Sequence, residues 1–435
     1  MDVEQQLGTP LLGRRRHQPL GPLYATMFVR TSAYAVAMLP AFTLRVNEYT
    51  TAAGYSMADA ATVFGTLTAA RHVSEFIAAP MHAAWSDRIG RKRVMLFGSA
   101  AFVVEAALMA AAPSLHFLSI VHVLGGLMSS GGAVESSCIT DATSPGAERS
   151  VALGRLLVVM GGSVVIGPAI GGALAEHYGG ATPFLCGHIL GLISLAFTAC
   201  CLPEYLPKDR RALPTRENSG LRGLNVISPF LGILRRSTEL LWYAGAMVLT
   251  GLAMAAFVSV NTLWLRASFG WGPQEIGHFT SMVGLALMAS QAIVLPRLLA
   301  AAKGHEGLVL QGCLLVSVAK LLSYAMAPQG SYLYLALFAT MPAFCSGTLL
   351  SSVCTRHVPE AQQGLWAGGI SAVSTAANIV GSIIGSHFLA ASLHRGNTTG
   401  WHLVFGAGCY VLAAFCALQA SQVRQKDKAS LGVED

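Results

Sequence analysis

The stretch Pro80-Met-His-Ala-Ala-Trp-Ser86-Asp87-Arg88-Ile89-Gly90-Arg91-Lys92-Arg93 separates two long apolar segments of the chain. It combines one glycine, which permits a tight turn, with a single acid and four cations at fixed spacing. Basic loops of membrane proteins remain on the cytoplasmic side, which alone would explain the excess of cations. The order of acid, glycine and cations is more specific than that rule requires.

The composition indicates a membrane protein. The chain has 435 residues, of which 53% are hydrophobic and only 11% are charged, whereas soluble domains carry about 25% charged residues. So few charges could not cover the surface of a soluble enzyme, and a chain this apolar is not disordered. The nine cysteines form no CxxC pair, and we interpret them as small buried side chains.

Twelve apolar segments are long enough to cross a hydrocarbon core of about 30 Å, which takes about 20 helical residues. We number them spans 1 to 12. They cover residues 22–45, 58–85, 93–112, 115–141, 149–176, 181–203, 238–265, 273–300, 307–327, 331–355, 362–390 and 400–422. The predicted fold class is therefore an all-α membrane protein with twelve transmembrane helices.

The distribution of basic residues predicts the orientation of these spans. With both termini on one face of the membrane, the opposite face receives only Arg45, Arg266 and Arg395 of the 28 lysines and arginines. Both termini are therefore expected in the cytoplasm. Topology accounts for the net charge of +7, so no nucleic-acid partner is needed. A plasma membrane and an endomembrane both remain open.

The longest loop divides the spans into two sets of six. We predict a cytoplasmic tail (1–21), a six-helix bundle (22–203), a basic cytoplasmic linker (204–237), a second six-helix bundle (238–422) and a cytoplasmic tail (423–435). The halves also resemble each other in sequence. The matched elements are Ser136–Asp141 with Ser351–Arg356, Gly154 with Gly369, and Gly167xxxGly171 with Gly381xxxGly385. Such parallel duplication is typical of one large class of secondary transporters.

The order D-R-x-G-R-K in the first stretch resembles the loop signature of the major facilitator superfamily, G-x-x-x-D-R-x-G-R-K. Ala83 replaces the first glycine of that signature. The resemblance implies the major facilitator fold, with two pseudo-symmetric bundles. It also implies a conformational latch, in which the loop acid lies near the positive end of span 11 and the second arginine pairs with an acid ending span 4. The corresponding residues are Asp87, Arg88, Gly90, Arg91 and Asp141.

Span 5 carries a second motif. Its residues follow G-x8-G-x3-G-P-x2-G-G with serine at the second position: Gly154, Ser163, Gly167, Pro168, Gly171 and Gly172. Small residues of this kind also let helices pack closely. The pattern resembles the antiporter motif of the drug:proton exchange branch, which is typified by tetracycline efflux carriers. The resemblance implies export coupled to protons.

Span 4 departs from the family pattern. The family frame L-x3-R-x2-Q-G appears here as Leu118, His122, Gly125 and Gly126, with histidine in place of the arginine implicated in proton handling. Histidine is the side chain that most readily changes charge near neutral pH, so His122 could act as a proton switch. The alternative is a neutral histidine that is hydrogen-bonded to a neighbouring helix.

Ionisable residues inside spans are costly and are candidates for function. We select Arg30, Arg71, Glu75 and Glu135, together with His122, as residues for substrate or proton coupling. Arg71 and Glu75 lie one helical turn apart, so they are expected to pair. In a functional interpretation Glu75 carries a proton and Arg71 meets an anionic group. In a structural interpretation the pair only holds span 2 in place.

Glu135 also has a structural interpretation, and so do the remaining intramembrane charges. Glu135 is expected to pair with Arg155 or with a hydroxyl group on span 5. Glu105 is expected to be a packed, protonated residue on a peripheral helix. Lys320 is expected to extend towards the outer interface.

The combined prediction is a secondary active transporter that moves a small organic solute by alternating access. Proton-coupled export is favoured over facilitated or symported uptake, and a transporter-like receptor or scaffold without transport is the alternative from another class. Arg30 and Arg71 favour an anionic or zwitterionic solute. The sequence has no G-x4-G-K-[ST] loop, HExxH motif or paired CxxC, so we expect no enzymatic activity, cofactor or metal. We expect a monomer in the lipid bilayer.

Asn397-Thr398-Thr399 is the single N-x-[ST] sequence of the chain. The predicted topology puts it on the non-cytoplasmic side, between spans 11 and 12. Asn397 is therefore a candidate for glycosylation.

Overall fold

The computed structural model describes residues 18–129, 132–144, 147–211, 237–302, 305–356, 363–397 and 400–431. Regular structure in these ranges is helical, and it forms the twelve predicted spans. Ten helical segments are long and apolar enough to cross a membrane, and a pair bent by 60° in span 10 adds an eleventh. Span 2 completes the set with 33 residues, several of them charged. The predicted fold class is thus confirmed.

The first half contains span 1 (Gly21–Met38 and Pro40–Ala52), span 2 (Met57–Ile89), span 3 (Arg91–Ala110), span 4 (Leu115–Met128 and Ala133–Ala142), span 5 (Ala147–Tyr178) and span 6 (Thr182–Cys201). A short 3-10 turn, Lys208–Arg210, follows span 6. The second half starts with span 7 (Thr238–Phe269) and span 8 (Pro273–Ala289, π-helical Ser290–Val294, Leu295–Ala302). It continues with span 9 (Glu306–Ala325), span 10 (Gly330–Ala339, 3-10 Met341–Cys345, Ser346–Arg356), span 11 (Gln363–His394) and span 12 (Trp401–Leu431).

Two helices extend seven or more residues past the ends of their predicted spans. Span 1 continues to Ala52 instead of ending at 45, and span 12 continues to Leu431 instead of 422. The apolar segments end earlier because helical backbone can extend past the hydrocarbon core. Most of the predicted N-terminal tail (1–17) and of the linker (212–236) lies outside the described residues, as do residues 432–435 of the C-terminal tail and Thr398 and Thr399 of the glycosylation sequence.

The two halves repeat the same helix contact. In each half, a pair of glycines four residues apart lies against the backbone of the first span of that half. Gly167 and Gly171 face Ala35 and Val36, and Gly381 and Gly385 face Ala255 and Ala256. None of these glycines has room for a Cβ atom without movement of the neighbouring helix. The duplication predicted from the glycine spacing is therefore present in the packing.

The halves meet where spans 5 and 8 cross and where spans 2 and 11 cross. At the first crossing Gly172 touches the backbone of Pro273 and Gly277. At the second, Gly65 lies against the side chain of Ser386. We call these two crossings the seam. Because the contacting residues are small, the helices approach closely enough for van der Waals contact between backbones.

A hydrogen bond also crosses the seam. The backbone N–H of Ala169, next to Pro168, donates to the hydroxyl of Ser281 on span 8 at 3.0 Å. Ser281 is 3% exposed. The seam lies towards the bundle end opposite to the loop Asp87–Arg93. We call the end that carries this loop the basic end.

Spans 4 and 10 are interrupted at equivalent places. Span 4 stops at Met128, and the carbonyl of Ser129 lies 3.1 Å from Nδ1 of His82 on span 2. In span 10 the carbonyl of Phe344 accepts a hydrogen bond from Gln291 on span 8 at 2.9 Å. Ser129 and Phe344 are 215 positions apart, the spacing of the duplication. A side chain from the second span of each half therefore satisfies a carbonyl that the interruption leaves without a helical partner.

The seam makes a specific prediction about two glycines of the same motif. Gly172→Val should destabilise the purified protein by about 1–3 kcal/mol, because the added atoms meet backbone that cannot move aside. Gly154→Ala is the matched control: a Cβ there meets nothing within 4 Å, so alanine should stabilise the helix by about 0.5–1 kcal/mol. Thermal unfolding in detergent measures both changes. Equal melting temperatures for Gly172→Val and the wild type would show that the seam is not tightly packed.

Candidate functional site

A cluster of charged side chains is buried within the first half, centred on Arg71 of span 2. The Arg71 side chain is 6% exposed, and its Nε donates to Glu75 Oε1 at 3.0 Å. Its Nη1 donates to Glu105 Oε1 on span 3 at 2.5 Å. The expected Arg71–Glu75 pair is present, and Glu105 joins it. Glu105 is packed, as expected, and its ion pair with Arg71 is a contact that the sequence did not predict.

His122 of span 4 forms another wall of this cluster. Its ring stacks on Phe42 at a centroid distance of 3.8 Å. Arg71 Nη1 lies 3.3 Å from His122 Nδ1 and donates to the His122 backbone carbonyl at 3.0 Å. Guanidinium nitrogens only donate, so a hydrogen bond between Nη1 and Nδ1 requires a neutral ring with its proton on Nε2. This geometry matches the neutral-histidine alternative.

Glycine in span 4 makes room for the second carboxylate. A Cβ on Gly125 would overlap the carboxyl group of Glu105, and one on Gly126 would meet the Arg71 backbone. Gly125 stands where the family frame has glutamine. This chain lacks the arginine of the frame at position 122, but Arg71 from span 2 brings a guanidinium to His122.

The cluster contains more acid than base. Two carboxylates contact one guanidinium, and besides His122 a second histidine, His72, has its Nδ1 3.4 Å from Glu75 Oε2. Glu75 and His72 are partly accessible, with side chains 24% and 30% exposed, whereas Glu105 is 5% exposed. One proton on Glu75 would make the three-membered ion group neutral. In the described part of the chain no three His, Cys, Asp or Glu side chains are placed to hold a metal ion.

A second buried ion pair joins spans 1 and 4. Arg30 forms a salt bridge with Glu135, whose side chain is fully buried. The expectation that Glu135 pairs with Arg155 is wrong, because Arg155 is exposed at the start of span 5.

The expectation for Lys320 is also wrong: its side chain is 5% exposed and lies among aromatic rings instead of reaching the outer interface.

The serine of the span 5 motif also contacts span 1. Ser163 Oγ accepts a hydrogen bond from Ser32 at 3.1 Å, and it lies 3.2 Å from the carbonyl of Phe28. Serine therefore replaces the family glycine at a point where its hydroxyl finds polar partners. The motif packs against span 1 at this residue, Gly167 and Gly171, and against span 8 at Gly172.

The loop at the basic end is organised by Arg91. Its Nε donates to Asp141 Oδ2 at the end of span 4 at 2.9 Å, and its Nη1 lies 2.6 Å from Asp87 Oδ1. Gly90 connects spans 2 and 3 with φ of +107°, a conformation that other residues rarely adopt. The structure thus brings together Asp87, Arg91 and Asp141. The expected contact of Asp87 with span 11 involves residues 363–368, whose side chains lie outside the described ones.

One residue of this loop region was missed by the sequence analysis. Glu204 Oε1 accepts from the backbone N–H of Arg91 at 2.8 Å, so it caps the first turn of span 3. The same carboxylate pairs with Arg211 at 3.5 Å and occupies the space where a Gly90 side chain would be. An anion at a helix N-terminus is stabilised by the helix dipole. The sequence did carry a signal for this role, because Glu204 is a lone acid between Pro203 and Pro207 on the basic face.

Two six-helix halves that meet at a seam of small residues, with charged side chains buried among their helices, define a membrane transporter with duplicated architecture. The chain belongs to the Major Facilitator Superfamily, whose model matches residues 23–385. This match confirms the family predicted from the loop signature.

The relatives of the chain include efflux proteins. The chain is 26% identical over 367 residues to the class C tetracycline resistance protein of Escherichia coli, covering 80% of this chain and 85% of that protein. It is 24% identical over 337 residues to multidrug resistance protein 2 of Bacillus subtilis, covering 76% and 80%. The crystal structure of the human organic anion transporter MFSD10 (TETRAN) has a TM-score of 0.66 at 19% identity, covering 92% of this chain and all of that one. This last similarity concerns the fold alone.

Proposed function

We propose that the protein is a secondary active transporter that exports a small organic solute, anionic or zwitterionic, in exchange for protons. The resistance proteins among its relatives and the motif on span 5 support the direction. The excess carboxylate in the buried Arg71 cluster carries the proposal of proton coupling. Transport in this scheme breaks no covalent bond, and one chain supplies both halves of the path.

The proposed orientation has both termini and the basic end in the cytoplasm, because lysine and arginine are concentrated there. A cysteine introduced at Asn397 should then react with a membrane-impermeant maleimide added to intact cells, because residue 397 follows span 11 at the opposite end. Labelling only after the cytoplasmic face is exposed would reverse the orientation.

Proton and solute are proposed to compete for Arg71. Glu75 is the accessible carboxylate of the cluster, and Glu105 is the buried one. A proton on Glu75 leaves Arg71 anchored by Glu105 while its Nε becomes available to an anionic group of the solute. Loss of that proton restores the Arg71–Glu75 contact and displaces the solute. Coupling then needs one shared guanidinium and no distant pathway.

Glu75→Gln tests this scheme. Tetracycline serves as the test solute, because a tetracycline resistance protein is among the relatives. Everted vesicles with the wild type and an imposed pH gradient should accumulate it. The variant should lose this gradient-driven accumulation, because residue 75 no longer binds a proton. Exchange of labelled for unlabelled tetracycline without a gradient should persist in the variant. A normal pH profile in Glu75→Gln would make Glu75 structural.

Glu105→Gln is the comparison for that experiment. Removing one partner of a buried ion pair costs about 3–5 kcal/mol, so this variant should melt at a lower temperature. It should keep its pH dependence, because Glu75 remains. A protein that gives no saturable flux of any solute would support the receptor or scaffold alternative instead.

The loop at the basic end is proposed to act as a latch between the halves. Asp87 is 47% exposed and bonds within its own half, to Arg91. The seam contacts lie towards the opposite end. This arrangement fits a conformation open at the basic end. In the conformation closed at that end, Asp87 would contact the positive N-terminus of span 11, an interaction of about 0.3–1 kcal/mol.

Asp87→Asn should reduce tetracycline flux several-fold while expression stays normal, because the conformation closed at the basic end loses a charge–dipole contact. Asp209→Asn, which alters an exposed acid at the same end, is the matched control and should transport normally. Wild-type flux in Asp87→Asn would exclude the latch.

A further inference from the structure

Span 9 places a lysine inside the second half of the protein. Lys320 is 5% exposed, and its Nζ lies 4.3 Å from the ring centroid of Phe344 and 5.9 Å from that of Phe257. Phe257 belongs to span 7 and Phe344 to the interruption in span 10. The amino group is therefore enclosed by rings from two other helices of its half.

Lys320 has no acidic partner among the residues that the structure describes. Its recorded contacts are the two aromatic faces, and none of the salt bridges involves it. Cation–π attraction offsets only part of the cost of removing an ammonium group from water. An anion supplied from elsewhere would stabilise a buried cation of this kind.

Comparison of the two halves shows that the described residues of the second half supply no counter-ion for Lys320. Arg91–Ala110 and Glu306–Ala325 are equivalent helices of 20 residues each, and Glu105 and Lys320 occupy the same position in them. In the first half, Glu105 receives its counter-ion from Arg71. At the same spacing of 215, the equivalents of Arg71 and His122 in the second half are Ala286 and Leu337, which carry no charge. One half thus completes an ion pair from its own residues, and the other half supplies only the cation.

The surroundings of Lys320 indicate the chemistry of a ligand. Phe257 packs against Tyr324 at a centroid distance of 6.1 Å, so the cation lies beside an aromatic wall. The half-buried Phe344 is held by Gln291, on the helix whose Met288 contacts Gly161 of the first half. The wall therefore lies one helix away from the contact between the halves. A ligand with a negative group on a flat apolar body would suit this site, because the negative group could pair with the cation while the body packs against the rings.

We infer that Lys320 binds the anionic group of an organic anion whose aromatic body packs against Phe257 and Phe344. That this ligand is the transported solute rests on the proposed function. Lys320 then provides the charge recognition of the second half, as Arg71 does in the first.

Benzenesulfonate is a suitable probe, because it keeps its negative charge at every working pH, and benzenesulfonamide is its neutral counterpart. Equilibrium dialysis of labelled benzenesulfonate against the full chain in detergent should show saturable binding that benzenesulfonamide does not displace. Lys320→Met should weaken this binding by about tenfold or more, as expected for loss of a hydrogen bond between charged groups. Lys320→Arg should retain it, since the positive charge remains. Arg155→Met, which removes an exposed cation, should bind as the wild type does.

Gel filtration verifies that each variant is folded, and Lys320→Gln replaces Lys320→Met if the latter aggregates. Unchanged binding in the neutral variant, or no saturable binding in the wild type, overturns the inference. Dialysis in detergent requires no gradient, so its result is independent of proton coupling. Loss of pH-driven flux with intact binding would contradict the proposed function and leave the Lys320 site standing.

Discussion

Close contact between helix backbones at the seam determines how the two halves are joined. Lipid surrounds helices with material as apolar as leucine, so helices associate through tight packing and hydrogen bonds instead of the hydrophobic effect. Gly172 with Gly277, and Gly65 with Ser386, provide that packing. The seam also fixes the position of the ion cluster around Arg71. Arg71 follows Gly65 by six residues on span 2, about 9 Å along the helix, so the ion cluster lies close to the contact between halves.

The charge cluster shows how a family pattern can be altered in sequence and retained in space. Span 4 has His122 where the frame has arginine, which by itself suggests that proton handling is lost. In the structure a guanidinium occupies this neighbourhood all the same, because Arg71 reaches it from span 2. Gly125, which replaces the frame's glutamine, leaves the space that the carboxyl group of Glu105 fills. The substitutions on span 4 and the charges on spans 2 and 3 are therefore parts of one arrangement.

Much of the fold follows from the sequence, because length, hydropathy and glycine spacing are local properties. The twelve spans, the duplication and the Arg71–Glu75 contact one turn apart all depend on distances along a single helix. The partners of Glu105, Glu135 and Lys320 depend instead on how each helix is rotated about its axis. Hydropathy gives little information on that rotation in a membrane, because the residues facing lipid and those facing the core are equally apolar. The capping role of Glu204 was missed for a related reason: it joins segments more than a hundred residues apart.

The small residues of the seam have a mechanical consequence. Long side chains that interlock across a boundary must change rotamer before the two surfaces can tilt, and each such change adds to the activation barrier of the motion. Around Gly172 and Gly277, where spans 5 and 8 cross, the opposing surfaces are backbone, and a hydrogen bond from Ala169 to Ser281 joins the two spans. Two surfaces of this kind can tilt against each other without changes of side-chain rotamer, so this crossing adds little to the activation barrier. In the proposed transport cycle, the rate at which the halves tilt would then depend on the charged contacts around this crossing.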